Sequence, residues 1–149
     1  MAASVDWYFD FVSPYSYICL HRLQDIPRQI IYKPVLFAGL LNQFGQKGPA
    51  EIPAKRTWTY RHILWQGREN NIPVQMPATH PFNPLPHLRL ALATSTDGDI
   101  NRHVAEAIFR ELWRTGGEPG DQARLAALAA QLRLVRDASG DEVKAQLKK

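Results

Sequence analysis

Ser13 is the residue whose surroundings best suit it to chemistry. It follows the alternating run Val5 to Phe11, in which Val5, Trp7, Phe9 and Phe11 interleave with Asp6, Tyr8 and Asp10, and it precedes Pro14. The alternation predicts a strand, and Ser-Pro predicts a helix entry, with serine as N-cap and proline at the first helical position. A helix start carries unpaired backbone N–H groups and the positive end of the dipole, so an anion held against Ser13 would be stabilised. No histidine stands beside Ser13 to act as its base, which favours a hydrogen-bond donor over a covalent nucleophile. Read by itself, the pair is first of all a helix cap.

Other side chains offer less. Lys55 opens a long helical candidate, where an exposed lysine is the ordinary expectation and a contact to a carboxylate the functional one. Asn83, followed by Pro84, either caps the next helix or reaches a ligand. Trp58, Tyr60, Trp65, His80 and Phe82 could line a pocket for an aromatic compound, although aromatics at helical spacing are more often core. His62, His87 and His103 have no evident partner and are read as structural or exposed. The five histidines and one cysteine lack zinc-ligand spacing and there is no glycine-rich phosphate loop, so no metal is expected. Cys19, being single, cannot form an internal disulfide; it reads as a small buried hydrophobe in a reducing cytoplasm.

The elements that must position Ser13 come early. A strand to Phe11, a helix from Pro14 to about Leu23 and a second strand over residues 30–36 make a β-α-β unit. Strand signals then stop at Phe37. Helices are predicted over residues 53–70 and 84–95, over 100–114 with Asp99 as N-cap, from a cap at Asp121 to about Leu132, and over 142–149. Two strands alone leave edges unpaired and apolar faces uncovered, so the helical body is expected to be the ordered part and the strand pair to lean on a partner or neighbouring chain.

The 149 residues suit one domain, and 45% apolar residues support a core without any run long enough to span a bilayer. Asp6 and Asp10 interrupt the N-terminal apolar run, which argues against a secretory signal; a soluble, cytoplasmic protein is expected. The net charge of +4 tolerates an anionic ligand. Basic residues are dispersed, and neither a nucleic-acid nor a membrane partner is expected.

The segment Phe9-Asp-Phe-Val-Ser-Pro-Tyr-Ser-Tyr17 resembles the opening of the 2-hydroxychromene-2-carboxylate isomerases and kappa-class glutathione transferases, within the DsbA-like thioredoxin superfamily. Residues 46–55 are similar to that family's glutathione-side loop, and residues 76–85 to the segment closing its substrate pocket. Ser13 and Ser16 fall where redox relatives carry a cysteine pair, so thiol-disulfide exchange is not expected.

The resemblance implies an α/β, thioredoxin-like fold interrupted by an all-helical insertion. Residues 1–37 would be the β-α-β part of the thioredoxin domain and residues 38–149 the insertion, with the C-terminal part of the thioredoxin domain absent. It implies glutathione as cofactor, held by Ser13, Pro14, Tyr15, Gln46 and Lys55, with Ser13 catalytic. Lys55, His80 and Asn83 would meet a small aromatic carboxylate substrate, in a homodimer. The implied activity is a glutathione-dependent isomerase working by reversible thiolate addition. A kappa-like transferase, or a truncated non-catalytic thioredoxin-like protein, are the alternatives.

Overall fold

The computed structural model describes residues 3–148. Strand β1 (Ser4–Phe9) leads into helix α1 (Pro14–Arg22), which crosses to strand β2 (Gln29–Pro34). The two strands pair in parallel, with Ser4 opposite Gln29 and Phe9 opposite Pro34. Six helices follow: α2 (Phe37–Gln43), α3 (Pro53–Glu69), α4 (Leu85–Leu92), α5 (Arg102–Trp113), α6 (Gln122–Leu132) and α7 (Asp141–Gln146). Beyond residue 37 the described residues contain no further strand, only an isolated antiparallel bridge between Tyr32 and Ile100. The α/β class with a mostly helical body is thus as expected.

The inner face of the strand pair is covered from within the chain. Trp7 stacks on Phe9 at 4.4 Å, and Phe109 of α5 lies 5.7 Å from Phe9 and 4.8 Å from Phe11. This follows from the amphipathic pattern of α5, whose Val104, Ala105, Ile108, Phe109, Leu112 and Trp113 are all buried. Full burial of a side chain such as Phe109 is worth roughly 1.5–3 kcal/mol. The opposite face stays open, and Tyr8 is 61% exposed.

Helix α4 ends at Leu92 and strand β2 at Pro34, short of expectation, and three other differences have a visible cause. Strand β1 ends at Phe9, and both Asp10 and Phe11 turn into the interior, so the alternation breaks there. Helix α5 is capped by Asn101, whose Oδ1 accepts the Val104 N–H at 3.0 Å, and not by Asp99. Ile100 donates its N–H to the Tyr32 carbonyl and is held out of the helix, while Asp99 pairs with Lys33 at 3.3 Å. The short helix α2 has no sequence signal of its own. Its N-cap, Leu36, offers no side-chain acceptor, and the Phe37 N–H is satisfied instead by Asp10. Asp121 caps α6 as expected, accepting the Arg124 N–H at 2.9 Å.

Loop 72–84 lies against α3 and carries His80 back to the start of α1. Gly67 permits that approach, since a Cβ there would stand 2.9 Å from the Ile72 carbonyl oxygen.

Candidate active site

Ser13 is the N-cap of α1, with extended backbone angles and its Oγ accepting the Ser16 N–H at 3.2 Å. One lone pair of the hydroxyl is spent on that cap, and its proton is left to donate. Pro14, the first helical residue, has no N–H to offer. Tyr15 follows, and among the described residues its N–H has no hydrogen-bond acceptor. The first turn of α1 therefore presents two donors, the Ser13 hydroxyl and the Tyr15 amide, with the helix dipole behind them and no acidic residue in the turn. That is a setting for a compact anion with one or two acceptor lobes.

The turn before Ser13 is gripped from three sides. Asp10 accepts the Val12 N–H on Oδ1 at 3.3 Å and the Phe37 N–H on Oδ2 at 2.8 Å, and its carbonyl accepts the Ser13 N–H at 3.1 Å. The Trp113 indole donates to the Phe11 carbonyl at 2.8 Å. His80 Nε2 meets the Val12 carbonyl at 2.7 Å. A carbonyl only accepts, so Nε2 carries the proton, and the one Tyr60 hydroxyl proton is shared between Nδ1 of the neutral ring at 2.6 Å and the His80 carbonyl at 3.0 Å. Both carbonyls that the chain exposes as it leaves β1 thus find side-chain donors from distant elements.

Electrostatics suit the same reading. Burial pushes the Asp10 carboxyl up to about 6, against the lowering effect of the Phe37, Val12 and Phe11 amides. The carboxyl behind the turn is therefore a reluctant anion whose two oxygens accept backbone N–H groups. Burial likewise lowers the His80 pKa, opposed by the Val12 carbonyl and aided by Arg56, which keeps the ring neutral in this tautomer.

Of the residues singled out from sequence, Ser13, Pro14, Tyr15 and His80 come together at this turn. Tyr15 also reaches α3, where its hydroxyl lies 2.9 Å from His62 Nδ1. Lys55 stands two turns before His62 on α3, spaced to share that face, with an exposed side chain. Gln46 is exposed in the loop between α2 and α3, where its backbone N–H is held by the Leu41 carbonyl. No hydrogen bond links Gln46, Lys55 or Asn83 to the Ser13 turn among the described residues. Asn83 precedes the Pro84 N-cap of α4, and its Oδ1 accepts the Leu85 N–H at 3.1 Å.

The five aromatics read as one pocket are divided in two. Tyr60, His80 and Phe82 pack inward beside Trp113. Trp58 and Trp65 point outward, 61% and 55% exposed, on either side of His62. Spacing explains the split, since residues 58, 62 and 65 recur on one helical face and residue 60 falls on another. His62 thus has a partner the sequence did not disclose. His87 is buried, and burial with a smaller push from Arg124 lowers its pKa to about 4, a neutral core histidine. Cys19 is half-buried, and burial raises its thiol pKa above the ordinary value, as befits an unreactive cysteine.

Asp10 and Trp113 are supporting residues that sequence reasoning did not assign, and Tyr60 holds His80 where the sequence suggested only a pocket aromatic. Only Asp10 left a trace, as the polar residue nearest Ser13 in an otherwise apolar strand end.

A family model described as a DsbA-like thioredoxin domain matches residues 4–148. The chain belongs to the DsbA-like thioredoxin domain family. Within this family it is 26% identical over 145 residues to 2-hydroxychromene-2-carboxylate isomerase from Sphingobium xenophagum, spanning 93% of this chain and 72% of that protein. It is 30% identical over 78 residues to glutathione S-transferase kappa 1 from Caenorhabditis elegans, spanning 49% of this chain and 34% of that protein. A solved structure of 2-hydroxychromene-2-carboxylate isomerase shares the fold with a TM-score of 0.72 at 22% identity, over 99% of this chain and 72% of the other. The resemblance carried by residues 9–17 is borne out by these relatives.

Proposed function

We propose that this DsbA-like chain serves a glutathione-dependent isomerase acting on an aromatic carboxylate of the 2-hydroxychromene-2-carboxylate type. The observation that carries the reading is the pair of free donors at the start of α1, the Ser13 hydroxyl and the Tyr15 N–H. They suit a sulfur anion, which needs donors and a positive field and no covalent partner from the protein. Glutathione, when bound, would supply the nucleophilic thiolate for reversible addition to a conjugated carbon.

The chain's own residues do the rest. Ser13 donates to the sulfur and lowers the fraction of protonated thiol at neutral pH, since a free thiol titrates near ~8.5. Asp10, Trp113 and His80 fix the turn so that Ser13 needs no rearrangement to donate. His80 acts here as a positioning residue through the Val12 carbonyl, both its ring nitrogens being engaged. Lys55 offers a cation for a carboxylate on the α3 face that meets Tyr15, and Gln46 and Asn83 are assigned on this reading to glutathione and to the substrate. On the same reading, residues 1–37 belong to the thioredoxin-like part and residues 38–149 to its helical insertion.

A transferase would use the same donors, and substrate chemistry separates the two. Interconversion of 2-hydroxychromene-2-carboxylate and its ring-opened isomer, followed by absorbance, should require glutathione. Conjugation of an aryl halide without isomerisation would assign the site to a transferase. Neither reaction occurring would overturn both readings in favour of a non-catalytic protein.

A further inference from the structure

A polar cavity lies between α1 and α5, away from Ser13. His21, at the other end of α1, is eight residues beyond Ser13, or ~12 Å along the helix axis. The cavity has a volume of about 160 Å³ and is lined by His21, Tyr17, Arg102, Glu106, Arg110 and Arg114. At ~30 Å³ per water it holds on the order of five waters, room for a compact polyatomic ion.

Three features of this cavity call for an anion. Residues 102, 106, 110 and 114 recur every four positions along one side of α5, which lines them up as a ridge. Arg102 is neutralised within that ridge by Glu106 at 2.5 Å. Arg110 and Arg114 have no ion-pair partner among the described residues. Like charges at this spacing repel, and among the described residues no carboxylate lies within ion-pair distance of either. His21 supplies the third feature. Its Nε2 is enclosed with no hydrogen-bond partner, an unmet polar group that proteins rarely leave so. Burial first, then Arg102 and Arg114, lower the His21 pKa against the pull of Glu106, and all three line the cavity with it. Arg114 and Arg110 also act on the Tyr17 phenol, whose hydroxyl is itself taken up by the Pro73 carbonyl.

We propose that this cavity is a binding site for a small polyvalent oxyanion, gripped by Arg110 and Arg114, with His21 on its wall. A phosphate group and a short dicarboxylate share the required chemistry, namely several acceptor oxygens and two negative charges within a few ångströms. Paired guanidinium groups favour such planar or tetrahedral oxygen arrays over a single halide. The site is independent of the Ser13 turn and of any glutathione chemistry there.

The test is a titration of the purified chain with inorganic phosphate and, separately, with succinate at constant ionic strength, read by calorimetry and by the His21 imidazole resonances. Saturable binding with a shift of those resonances is expected for at least one of the two, and which one saturates assigns the ligand to a phosphate or a dicarboxylate. Arg110→Ala and Arg114→Ala should each weaken binding about tenfold or more. Arg61→Ala, an exposed arginine on α3, should leave it unchanged. These are surface substitutions, and an unaltered circular dichroism spectrum certifies the fold. Absence of saturation by both ions, or equal affinity in the wild type and the two α5 variants, would overturn the proposal.

Discussion

Replacing Asp10 by asparagine should change how the protein's stability depends on pH, and by an amount that follows from its burial. Asp10 is 2% exposed and its carboxyl is pushed from an ordinary 3.8 up to about 6. The native state therefore binds a proton that the unfolded chain has already released in the interval between those values. Stability due to this group is fully present below the unfolded value and is lost as the pH rises through about 6. One pKa unit is worth ~1.4 kcal/mol, so the whole loss is about 3 kcal/mol, of which about 2 kcal/mol falls between about pH 4 and 7. Asparagine cannot ionise and escapes that loss. It carries a different cost, because both Asp10 oxygens accept N–H groups and an amide would turn an NH₂ toward one of them, roughly 1–3 kcal/mol at every pH. Urea unfolding of both proteins, followed by tryptophan fluorescence across this range, isolates the effect by difference. The variant should start less stable at acid pH and gain about 2 kcal/mol on the wild type by neutrality. A gap that stays constant with pH would refute the assignment of Asp10 as a buried, reluctantly ionised carboxyl.

Three further outcomes follow from the same geometry. His80→Phe leaves the Val12 carbonyl without its donor, while the Tyr60 hydroxyl keeps the main-chain carbonyl of residue 80 at 3.0 Å, and should cost about 1–3 kcal/mol in urea unfolding, with His80→Gln recovering part of it. Trp113→Phe removes the indole donor to the buried Phe11 carbonyl and should cost at least as much, about 2–4 kcal/mol in the same assay, because it also leaves a void in the core. Asn101→Ala should lower stability by about 1 kcal/mol as a lost helix cap, whereas Asp99→Ala should have the smaller effect; the reverse order would restore Asp99 as the cap.

How much of this was legible in the sequence depends on the range of the interaction. The strand-Ser-Pro junction, the start of α3 at Pro53 and the Asp121 cap are decided within four residues, and local rules suffice for them. The supports of the Ser13 turn are not local. His80 lies 68 positions from Val12 and Trp113 lies 102 from Phe11, and neither pairing leaves a periodic trace. Helix α2 was unreadable for a related reason: its Phe37 and Leu40 stay exposed and Gly39 interrupts it, while its cap comes from Asp10 on another element. The choice of Asn101 over Asp99 turned on the Tyr32–Ile100 bridge, a tertiary contact that overrides an equally good local cap. Resemblance supplied the family where periodicity supplied only elements, because residues 9–17 combine a strand end, a helix cap and a run similar to that family's opening.

The central claim is that the Ser13 turn favours a thiolate, and the pH dependence of glutathione-dependent isomerisation tests it most directly. In the wild type the rate should already be near its plateau at neutral pH, because the bound thiol ionises below its free value of ~8.5. Ser13→Ala should move the rise in rate toward that free value and lower turnover at neutral pH by about a hundredfold, the usual loss on removing one preorganised donor, with little change in the KM for glutathione. A profile in Ser13→Ala that superimposes on the wild type in midpoint and height would contradict the account.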